Sequence, residues 1–384
     1  MHLAVNASDL GRKRGGNESY MLGLLSGLAA VAPRAAVRVS VAVSHQGAAM
    51  MRAVPGFSPL RSTLCLRTGQ AASAVAVVDV GAYRRVPSLL WQQTTLLRRL
   101  RPDWFVSTYF LPPLTPGRAA LLVHDLSFRA RPDFFPRAVA LYMHLLTGQA
   151  IRRAEVVVAL SEFTRQELMR FYPVAPERVV VVPPGVGPEY TSHGDPAADR
   201  TALAALGVSQ PYLLAVGNIH PRKNLERLLG AWLSLSATHQ AVPRMVWAGL
   251  DRWGSSRLLN RARAAGVQLL GYVEPARLPA LYRQAEALAY PSLYEGFGLP
   301  PLEAMACGTP VLTANTTSLP EAVGSAAVTV CPTDVGAIAD GLARVLFDVA
   351  LRRDLRARGL GHAAQFRWER AAEQLLRALA LRSA

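Results

Sequence analysis

The stretch YLLAVGNIHPRKNLERLLGAW, from Tyr212 to Trp232, contains in succession a strand pattern, a turn and a helix pattern. The run YLLAV has no polar alternation, which is typical of a strand buried on both faces of a parallel sheet. Gly217 allows a tight turn directly after this run. After the turn, apolar residues recur at helical spacing. The stretch therefore indicates one strand and one helix of an α/β fold.

The same pattern recurs along the whole chain. The short apolar runs of the first half are HLAVNAS, VRVSVAV, WFVST, AALLVHD, EVVVAL and RVVVVPPG, and those of the second half are YLLAVGN, RMVWAGL, VQLLGYV, ALAYPS, TPVLTAN and AAVTVCP. Strands separated by helix-length segments predict parallel sheets with helices on both faces. We predict two doubly wound, Rossmann-like domains, residues 1–190 and 191–365, facing each other across a cleft, with the polar interval 190–211 as linker. Segment 44–88 yields no assignment.

Composition limits the class of protein. The chain has 384 residues, of which 51% are hydrophobic, and no run approaches the ~20 apolar residues of a spanning helix. In the first fourteen residues the charges follow the apolar stretch, the reverse of a signal peptide. We therefore expect a globular, cytoplasmic protein. The isolated Cys65, Cys307 and Cys331 are interpreted as reduced core residues.

The formal net charge of +16 permits anionic partners. Residues 1–190 carry 22 Lys and Arg against 11 Asp and Glu, and residues 191–384 carry 20 against 15. Only Lys13 and Lys223 are lysines, so the excess resembles a general preference for arginine. The arginines are scattered and no recognition module is visible, which argues against specific nucleic-acid binding. The basic stretch LLRRLRPDW, with Arg98, Arg99 and Arg101 after apolar residues, predicts peripheral contact with an anionic membrane, an alternative to leucines packed on the sheet.

Ligands of open parallel sheets lie at the carboxyl ends of strands, so the loops after the apolar runs are the candidate sites. In GNIHPRKN, Arg222 and Lys223 directly precede a helix, whose N-terminal amides also favour an anion. A doubly negative phosphate group would be stabilised there. Lys223 is one of two lysines in the chain, which favours a functional role over a basic turn. Gly15 and Gly16 follow the first strand, and His124 follows the run AALLV.

The segment LYEGFGLPPLEAMACGTPV, residues 293–311, places two glutamates on either side of a hinge rich in Gly and Pro. Pro300 and Pro301 suit a first helical turn, because no amide hydrogen is needed there. We expect Glu303 in that first turn, where its carboxylate accepts hydrogen bonds from a vicinal diol. Glu295 lies on the preceding loop and suits sugar hydroxyls. A glycosidase with a carboxylate pair is the alternative, but it leaves the Lys223 loop without a role.

These motifs together resemble the GT-B retaining glycosyltransferases of family 4, the group 1 glycosyltransferases, and the motifs are closest to bacterial mannosyltransferase-like members. The resemblance covers nearly the whole chain and rests on EGFGLPPLEAMACGTPV, PRKN, HDLSF, SEFTRQEL, VVPPGV and FRWERAAEQLLRAL. It implies that Glu295 contacts donor sugar hydroxyls and Glu303 the ribose. It assigns the leaving diphosphate to Arg222 and Lys223 and places His124 beside the reacting sugar.

The resemblance also implies a wider donor site and a domain plan. Residues 1–190 would bind the acceptor, residues 191–365 the nucleotide sugar, and residues 366–384 would form a helix that crosses back to the first domain. Many members have Arg where this chain has Asn218, so phosphate neutralisation would rest on the PRKN loop. The expected donor-binding residues are Gly15, Gly16, Gly217, Asn218, Gly296, Phe297, Gly298, Leu299 and Glu303.

The implied activity is a retaining hexosyl transfer without a cofactor. No D-x-D motif is present, so we expect a metal-independent enzyme that moves a hexose, with mannose favoured, from a nucleotide-diphosphate sugar. GDP-mannose is the favoured donor, and UDP and dTDP sugars stay open. The acceptor would be a saccharide or a polyprenyl-diphosphate-linked saccharide in bacterial polysaccharide or glycoconjugate synthesis. The alternatives are a GT-B phosphorylase, a sugar epimerase and a basic nucleic-acid-binding protein.

Overall fold

The computed structural model describes residues 1–11, 15–44, 46–47, 51, 58–59, 75–79, 97–98, 100–112, 115, 117–251 and 253–382. The chain divides into two compact units. The first comprises residues 1–185 together with the C-terminal segment from Arg367, and the second comprises Val186–Phe366. Each unit is a parallel sheet with helices, which confirms the predicted α/β fold of two Rossmann-like domains.

The first unit contains a parallel sheet with eight strands among the described residues, in the order β3-β4-β2-β1-β5-β6-β7-β8. The order reverses direction between β1 and β5, which pair through Leu3–Trp104 and Val5–Val106. The strands are β1 His2–Asn6, β2 Arg38–Val43, β3 Ser58–Pro59, β4 Val75–Asp79, β5 Trp104–Thr108, β6 Arg118–Val123, β7 Val156–Ala159 and β8 Val179–Val181.

The helices of the first unit pack beside a sheet in which β1, β2, β5, β6 and β7 are almost entirely buried. The α-helices are α1 Gly16–Val31, α2 Ser127–Ala130, α3 Arg137–Arg153, α4 Glu162–Phe171 and α13 Trp368–Ala380. Short 3-10 turns occupy Pro132–Phe134 and Pro176–Arg178. Ser161 caps α4, because its Oγ accepts a hydrogen bond from the Thr164 amide at 3.0 Å.

The C-terminal helix α13 packs against α1 through two glycines. A Cβ atom at Gly23 would lie 1.9 Å from the Trp368 ring, and one at Gly27 would lie 2.2 Å from the Trp368 carbonyl oxygen. The absence of side chains therefore lets the two helices approach closely. Trp368 is buried in this contact, which ties the chain end to the first unit.

The second unit has a six-stranded parallel sheet in the order β11-β10-β9-β12-β13-β14. This is the Rossmann order, in which the first strand lies beside the fourth and the sheet reverses its winding between them. The strands are β9 Tyr212–Val216, β10 Arg244–Ala248, β11 Gln268–Gly271, β12 Ala287–Tyr290, β13 Val311–Ala314 and β14 Val328–Val330. The winding reverses between β9 and β12, and the loops after these two strands contain the two strongest sequence motifs.

The α-helices of the second unit are α5 Pro196–Ala205, α6 Leu225–Thr238, α7 Ser256–Ala264, α8 Leu278–Arg283, α9 Leu299–Ala306, α10 Leu319–Val323, α11 Val335–Phe347 and α12 Val349–Ala363, with 3-10 turns at Pro221–Lys223 and Pro275–Arg277. The interval 190–211, interpreted from the sequence as a linker, contains α5. Arg283 donates to Asp199 of this helix at 2.9 and 2.6 Å, and Asp199 is buried. The interval is therefore structured and belongs to the second unit.

All twelve apolar runs form strands, and the described residues contain two further strands that the sequence patterns missed. The missed strands β3 and β4 lie in segment 44–88, most of which lies outside the described residues. Strand β3 has only two residues, too few to show a period. Cys307 is buried as expected, but Cys331 is exposed, because the strand β14 ends one residue earlier. Cys65 lies outside the described residues.

The basic stretch predicted to contact membranes is only partly described. Leu89, Leu90, Trp91, Leu96 and Arg99 lie outside the described residues. Leu97 is buried in the core of the first unit, so it is not one of the exposed apolar neighbours that this prediction needs. Arg98 is exposed. Within the described residues, no helix combines the length and hydropathy required to cross a bilayer.

Candidate functional site in the second unit

The loops after β9 and β12 meet at the point where the second sheet reverses its winding. The amide of Leu293, after β12, donates to the Arg222 carbonyl, after β9, at 2.7 Å. The buried Asn224 amide group donates to the carbonyls of Pro291 at 2.9 Å and Pro332 at 2.6 Å. Asn224 adopts a left-handed conformation with φ 58° and starts α6. These contacts fix the Lys223 loop against the loop that contains Glu295.

Gly217 makes room for the Lys223 side chain. Its φ of 128° belongs to the region that favours glycine, and a Cβ there would lie 3.1 Å from the Lys223 Cε atom. A Cβ at Gly249, after β10, would lie 1.9 Å from the Gly217 carbonyl oxygen. Two glycines therefore allow the adjacent loops to pack together beneath Lys223. Asn218 follows on the same turn and is partly exposed.

Glu295 bridges both cations of the preceding loop. Its Oε1 lies 2.6 Å from the Lys223 Nζ, and its Oε2 lies 2.8 Å from an Arg222 guanidinium nitrogen. The Tyr290 hydroxyl donates to the same Oε1 at 3.0 Å, and the Lys223 ammonium lies over the Tyr290 ring at 4.4 Å and contacts its hydroxyl. Arg222, Lys223 and Glu295 thus form one hydrogen-bonded cluster on Tyr290, with one carboxylate between two cations.

The charge state of Glu295 follows from these contacts. Burial alone would raise the pKa of its carboxyl, but the adjacent charges of Arg222 and Lys223 outweigh burial and lower the pKa to about 2. Glu295 is therefore ionised at neutral pH. The ordering of two cations around an ionised carboxylate presents a net positive charge at the carboxyl end of the sheet, which suits a diphosphate.

The segment from Glu295 to Gly298 is held by residues that the sequence reasoning did not select. The Ser318 hydroxyl donates to the carbonyls of Glu295 and Phe297, both at 2.9 Å, and the Thr317 hydroxyl accepts from the Glu295 amide at 3.3 Å. Phe297 is buried, and Gly298 has a φ of 123° at the start of α9. The SLPEAVG segment at 318–324 contained the signal for this support, because a Ser before a helix offers a hydroxyl to nearby backbone groups.

Glu303 does not lie where the sequence predicts. Helix α9 begins at Leu299, so the prolines occupy its first turn as expected, but Glu303 is the fifth residue and lies beyond the first turn. Its carboxyl is buried and accepts a hydrogen bond from the Tyr282 hydroxyl at 2.8 Å. Tyr190 also hydrogen-bonds this carboxyl. Burial raises the pKa of Glu303 to about 7. Glu303 is thus partly protonated at neutral pH rather than a simple helix-terminal anion.

In the first unit, Gly15 and Gly16 lie at the start of α1, as predicted from the glycine loop. Gly15 has a φ of 73°, and a Cβ at Gly16 would meet no atom within 4 Å. There is open space at this helix start. The Glu18 carboxylate, in the first turn, accepts a hydrogen bond from the Gly11 amide at 2.7 Å. Residues 12–14 of this loop lie outside the described residues.

His124 directly follows β6, at the carboxyl end of the first sheet. It is buried, with its ring 4.7 Å from the Tyr20 ring in an edge-on arrangement. Burial lowers the pKa of His124 to about 4, against a weaker opposing effect of Asp125, so the imidazole is neutral at physiological pH. Its Nε2 has no hydrogen-bond partner among the described residues. A buried imidazole nitrogen without a partner is available to a ligand hydroxyl.

The structure brings together the predicted site residues of the second unit. The other predicted residues, Gly15, Gly16 and His124, belong to the first unit. Arg222, Lys223 and Glu295 form one cluster, and the sequence reasoning missed its fourth member, Tyr290. An aromatic residue at the end of a strand gave no separate signal. Among the residues that the structure describes, no three His, Cys, Asp or Glu side chains lie close enough together to hold a metal ion.

Two family models match the chain. The model for Glycosyl transferases group 1 matches residues 204–361, and the model for Glycosyltransferase Family 4 matches residues 14–190. The group 1 match covers the loops that contain Lys223, Glu295 and Glu303. The family 4 match begins next to the glycines at the start of α1 and includes His124.

Individual relatives agree with these matches. The O-antigen chain mannosyltransferase B of Escherichia coli is 33% identical over 78% of this chain and 82% of its own length. A D-inositol 3-phosphate glycosyltransferase of Actinosynnema mirum is 33% identical over 60% of this chain and 58% of its own length. The Anabaena Alr3699/HepE structure in complex with UDP-glucose shares the fold, with a TM-score of 0.72 and 15% identity over 99% of both chains. The chain therefore belongs to the group 1 glycosyltransferases of glycosyltransferase family 4.

Proposed function

We propose that this glycosyltransferase moves a hexose, with mannose favoured, from a nucleotide-diphosphate sugar to a saccharide or polyprenyl-diphosphate-linked acceptor, with retention of anomeric configuration and without a metal ion. The observation that carries the proposal is the cluster of Lys223, Arg222 and Glu295 where the second sheet reverses its winding. It combines two cations for a diphosphate with a carboxylate for sugar hydroxyls.

The cations act on the leaving group. As the bond between the anomeric carbon and the diphosphate oxygen breaks, negative charge grows on that oxygen, and Lys223 and Arg222 stabilise it from fixed positions. In front-face transfer the acceptor oxygen bonds to the anomeric carbon on the face that the diphosphate leaves. The acceptor proton passes to the departing phosphate oxygen. No carboxylate nucleophile is required, and Glu295 holds the cations and the sugar in place.

The two remaining candidate residues have positioning roles. His124 is neutral, so it can accept or donate one hydrogen bond to a sugar hydroxyl through its unpartnered Nε2. Once ionised, the Glu303 carboxylate can accept hydrogen bonds from the ribose diol, while the Tyr282 hydroxyl donates to its Oε2. The open space at Gly16, beside the α1 amides, suits an anionic oxygen.

The donor is supported only by relatives. The Escherichia coli relative is named a mannosyltransferase, which favours GDP-mannose, whereas the Anabaena structure contains UDP-glucose, which keeps UDP sugars as candidates. The name of that same relative, an O-antigen chain enzyme, supports a growing saccharide as acceptor. The inositol 3-phosphate relatives supply a second candidate, a small phosphorylated polyol.

The test is a donor panel with matched variants. GDP-mannose, UDP-glucose and dTDP-glucose are compared by nucleotide release and by the rise in melting temperature, with the wild type, Lys223→Ala and Arg257→Ala. Arg257 is exposed on helix α7 of the same unit, and its replacement gives the same charge change. We expect one donor to stabilise the wild type and turnover to fall at least about 100-fold in Lys223→Ala only. Wild-type turnover in folded Lys223→Ala would remove Lys223 from the site.

A further inference from the structure

Thr317 has a backbone conformation that its own side chain disfavours. Its φ is 59°, in the left-handed region, where a branched Cβ atom crowds the backbone. Among the described residues, the other non-glycine residues with a positive φ have no branched Cβ; they are Ala36, Arg101, Tyr109 and Asn224. Strain of this kind persists only where the surrounding contacts impose it.

Contacts on both sides of Thr317 impose this conformation. Before it, the Asn315 amide, which directly follows β13, donates to the Val330 carbonyl at 2.9 Å. After it, the Ser318 hydroxyl donates to the Glu295 carbonyl at 2.9 Å. The chain is therefore anchored to the second sheet on one side and to the Glu295 loop on the other, and Thr317 makes the turn between them.

The strained turn directs the Thr317 hydroxyl to the backbone of Glu295. Its Oγ1 donates to the Thr316 carbonyl at 2.7 Å and accepts from the Glu295 amide at 3.3 Å. A hydroxyl has one proton, so the bond to Thr316 leaves a lone pair for the Glu295 amide. Both backbone groups of Glu295 are thus held, the amide by Thr317 and the carbonyl by Ser318.

The neighbouring Thr316 shows that this turn is not arranged for maximal stability. Its Oγ1 is buried and has no hydrogen-bond partner among the described residues, which is unfavourable for folding. The turn therefore combines a strained backbone with an unsatisfied hydroxyl, directly beside a Glu295 whose backbone is fully bonded. Local costs of this kind gather at functional sites.

The direction of the contacts indicates what the strain maintains. The hydroxyls of Thr317 and Ser318 both bond to the Glu295 loop. The Glu295 carboxylate in turn lies 2.6 Å from the Lys223 Nζ and 2.8 Å from an Arg222 guanidinium nitrogen. A shift of the Glu295 backbone would therefore move the carboxylate away from the position in which it faces these cations, and catalysis is sensitive to displacements of about 1 Å.

We propose that Thr317 is a positioning residue for the transfer reaction: its strained turn holds its hydroxyl on the Glu295 amide and thereby fixes the carboxylate that orients the donor sugar. The proposal rests on the proposed function, since it gives Thr317 a share in placing Glu295. Thr317 acts through Glu295 and needs no contact with the substrate.

The test compares the same chemical change at two adjacent residues, Thr317→Val and Thr316→Val. In Thr317→Val we expect kcat with the best donor of the panel to fall at least about tenfold. Pyrophosphate binding, measured by calorimetry, should stay equal or become tighter, because a loosened Glu295 competes less for the cations. Thr316→Val should keep kcat within about twofold and raise the melting temperature, because it removes a hydroxyl that has no partner.

The variants Thr317→Ser and Thr317→Gly separate the hydroxyl from the strain. Serine keeps the hydroxyl without the branch, so kcat should remain within about threefold of the wild type. Glycine has neither hydroxyl nor strain, so kcat should fall as in Thr317→Val, while the melting temperature stays above that of Thr317→Val. A residue that only stabilised the fold would not lose turnover while gaining stability.

Several outcomes would overturn the proposal. Among these are a kcat within about twofold of the wild type in Thr317→Gly, and a loss in Thr317→Ser as large as in Thr317→Val. Pyrophosphate binding that weakens together with kcat would assign Thr317 to the stability of the whole loop. Thr317→Gly carries the test if the valine variant fails to fold. Absence of turnover in the wild type with every donor would instead count against the proposed function, and pyrophosphate binding would still report whether Thr317 places Glu295.

Discussion

Glu295 and Glu303 lie eight residues apart, yet their surroundings move their pKa values in opposite directions. Glu295 faces two cations, which hold its pKa near 2 despite burial. Glu303 faces tyrosine hydroxyls without a cation, and burial raises its pKa to about 7. The same residue type is therefore fixed as an anion in one position and poised between two charge states in the other.

Replacing Glu295 should separate its two roles. In Glu295→Gln, Lys223 and Arg222 lose their counter-charge, so the free energy of unfolding should fall by about 3 to 5 kcal/mol. Pyrophosphate should then bind more tightly than in the wild type, because no carboxylate competes for the cations, while sugar transfer falls. A thermal shift assay with increasing pyrophosphate measures the loss of stability and the change in pyrophosphate binding.

The control for this variant is Glu226→Gln, which removes the same charge from an exposed pair with Arg261. An exposed pair contributes little, so this change should alter neither property measurably. Pyrophosphate binding that weakens in Glu295→Gln would show that the carboxylate assists the anion rather than competing with it.

Glu303 should make stability depend on pH. Its folded pKa of about 7 lies above the ordinary value of 4.5, so between these pH values the native state binds more protons than the unfolded state. The stability that the protonated Glu303 carboxyl contributes at low pH is therefore lost as the pH rises from about 4.5 to 7. The glutamine does not titrate, so Glu303→Gln keeps its stability as the pH rises. Its free energy of unfolding, relative to that of the wild type, should therefore be up to about 3 kcal/mol higher at pH 8 than at pH 5.

Urea unfolding of both proteins at pH 5 and pH 8 measures this difference. Glu295→Gln is the internal control, because the lowered pKa of Glu295 confines its titration below about pH 4.5 and its effect should be equal at both pH values. An equal effect of Glu303→Gln at both pH values would mean that this carboxyl does not titrate in the folded protein between them.

Single residues were predicted from sequence only where their chemistry is unusual. Lys223 was identifiable because lysine is rare in this chain and because it precedes a helix. The pairing of Glu295 with both cations, and the roles of Tyr290 and Ser318, depend on contacts between segments distant in sequence. The charge state of Glu303 depends on Tyr282 and on burial, neither of which local sequence encodes.

At the scale of elements, sequence patterns predicted strands better than they predicted where α9 begins. Unbroken apolar runs located every strand of the second sheet. Helix α9 begins at Leu299, one residue before Pro300, so Glu303 is its fifth residue and lies just beyond the first turn in which it was expected. The start of a helix depends on backbone angles at one residue, which composition constrains only weakly.

Gly298 should be intolerant of a side chain. Its φ of 123° is unfavourable for any other residue, and a Cβ would lie 2.8 Å from the Leu319 Cδ2 atom. Gly298→Ala should lower the free energy of unfolding by about 1 to 3 kcal/mol. Gly361→Ala is the matched control, since Gly361 lies inside α12 with no atom near a Cβ, and it should raise stability by up to about 1 kcal/mol.

Urea unfolding of these two variants shows whether each substitution lowers or raises the free energy of unfolding. A neutral or stabilising Gly298→Ala would show that the loop before α9 relaxes into another conformation. Nucleotide binding by the same variant then reports whether the loop still holds Glu295 in place, because Ser318 donates to the carbonyls of Glu295 and Phe297 in this loop.

At the scale of the whole molecule, the apolar runs and the helix-length segments between them predicted two parallel sheets, although they missed β3 and β4 of the first sheet. The strand order of the second sheet explains why PRKN and the glutamate segment, some seventy residues apart, meet at one edge. The exposure of Leu141 and Leu145 on α3 was not predicted, because these residues have ordinary helical spacing and only the packing shows which side faces outward.

Charge neutralisation by side chains should make the reaction independent of added metal. Lys223 and Arg222 place two positive charges at the proposed diphosphate position, and the net charge of +16 adds a favourable field. We expect turnover in excess EDTA to remain within about twofold of the untreated rate, with a Mg²⁺-dependent transferase as the assay control. Loss of activity with EDTA that Mg²⁺ or Mn²⁺ restores would contradict this scheme. It would instead make a divalent cation the main partner of the leaving diphosphate, with Lys223 and Arg222 in supporting positions.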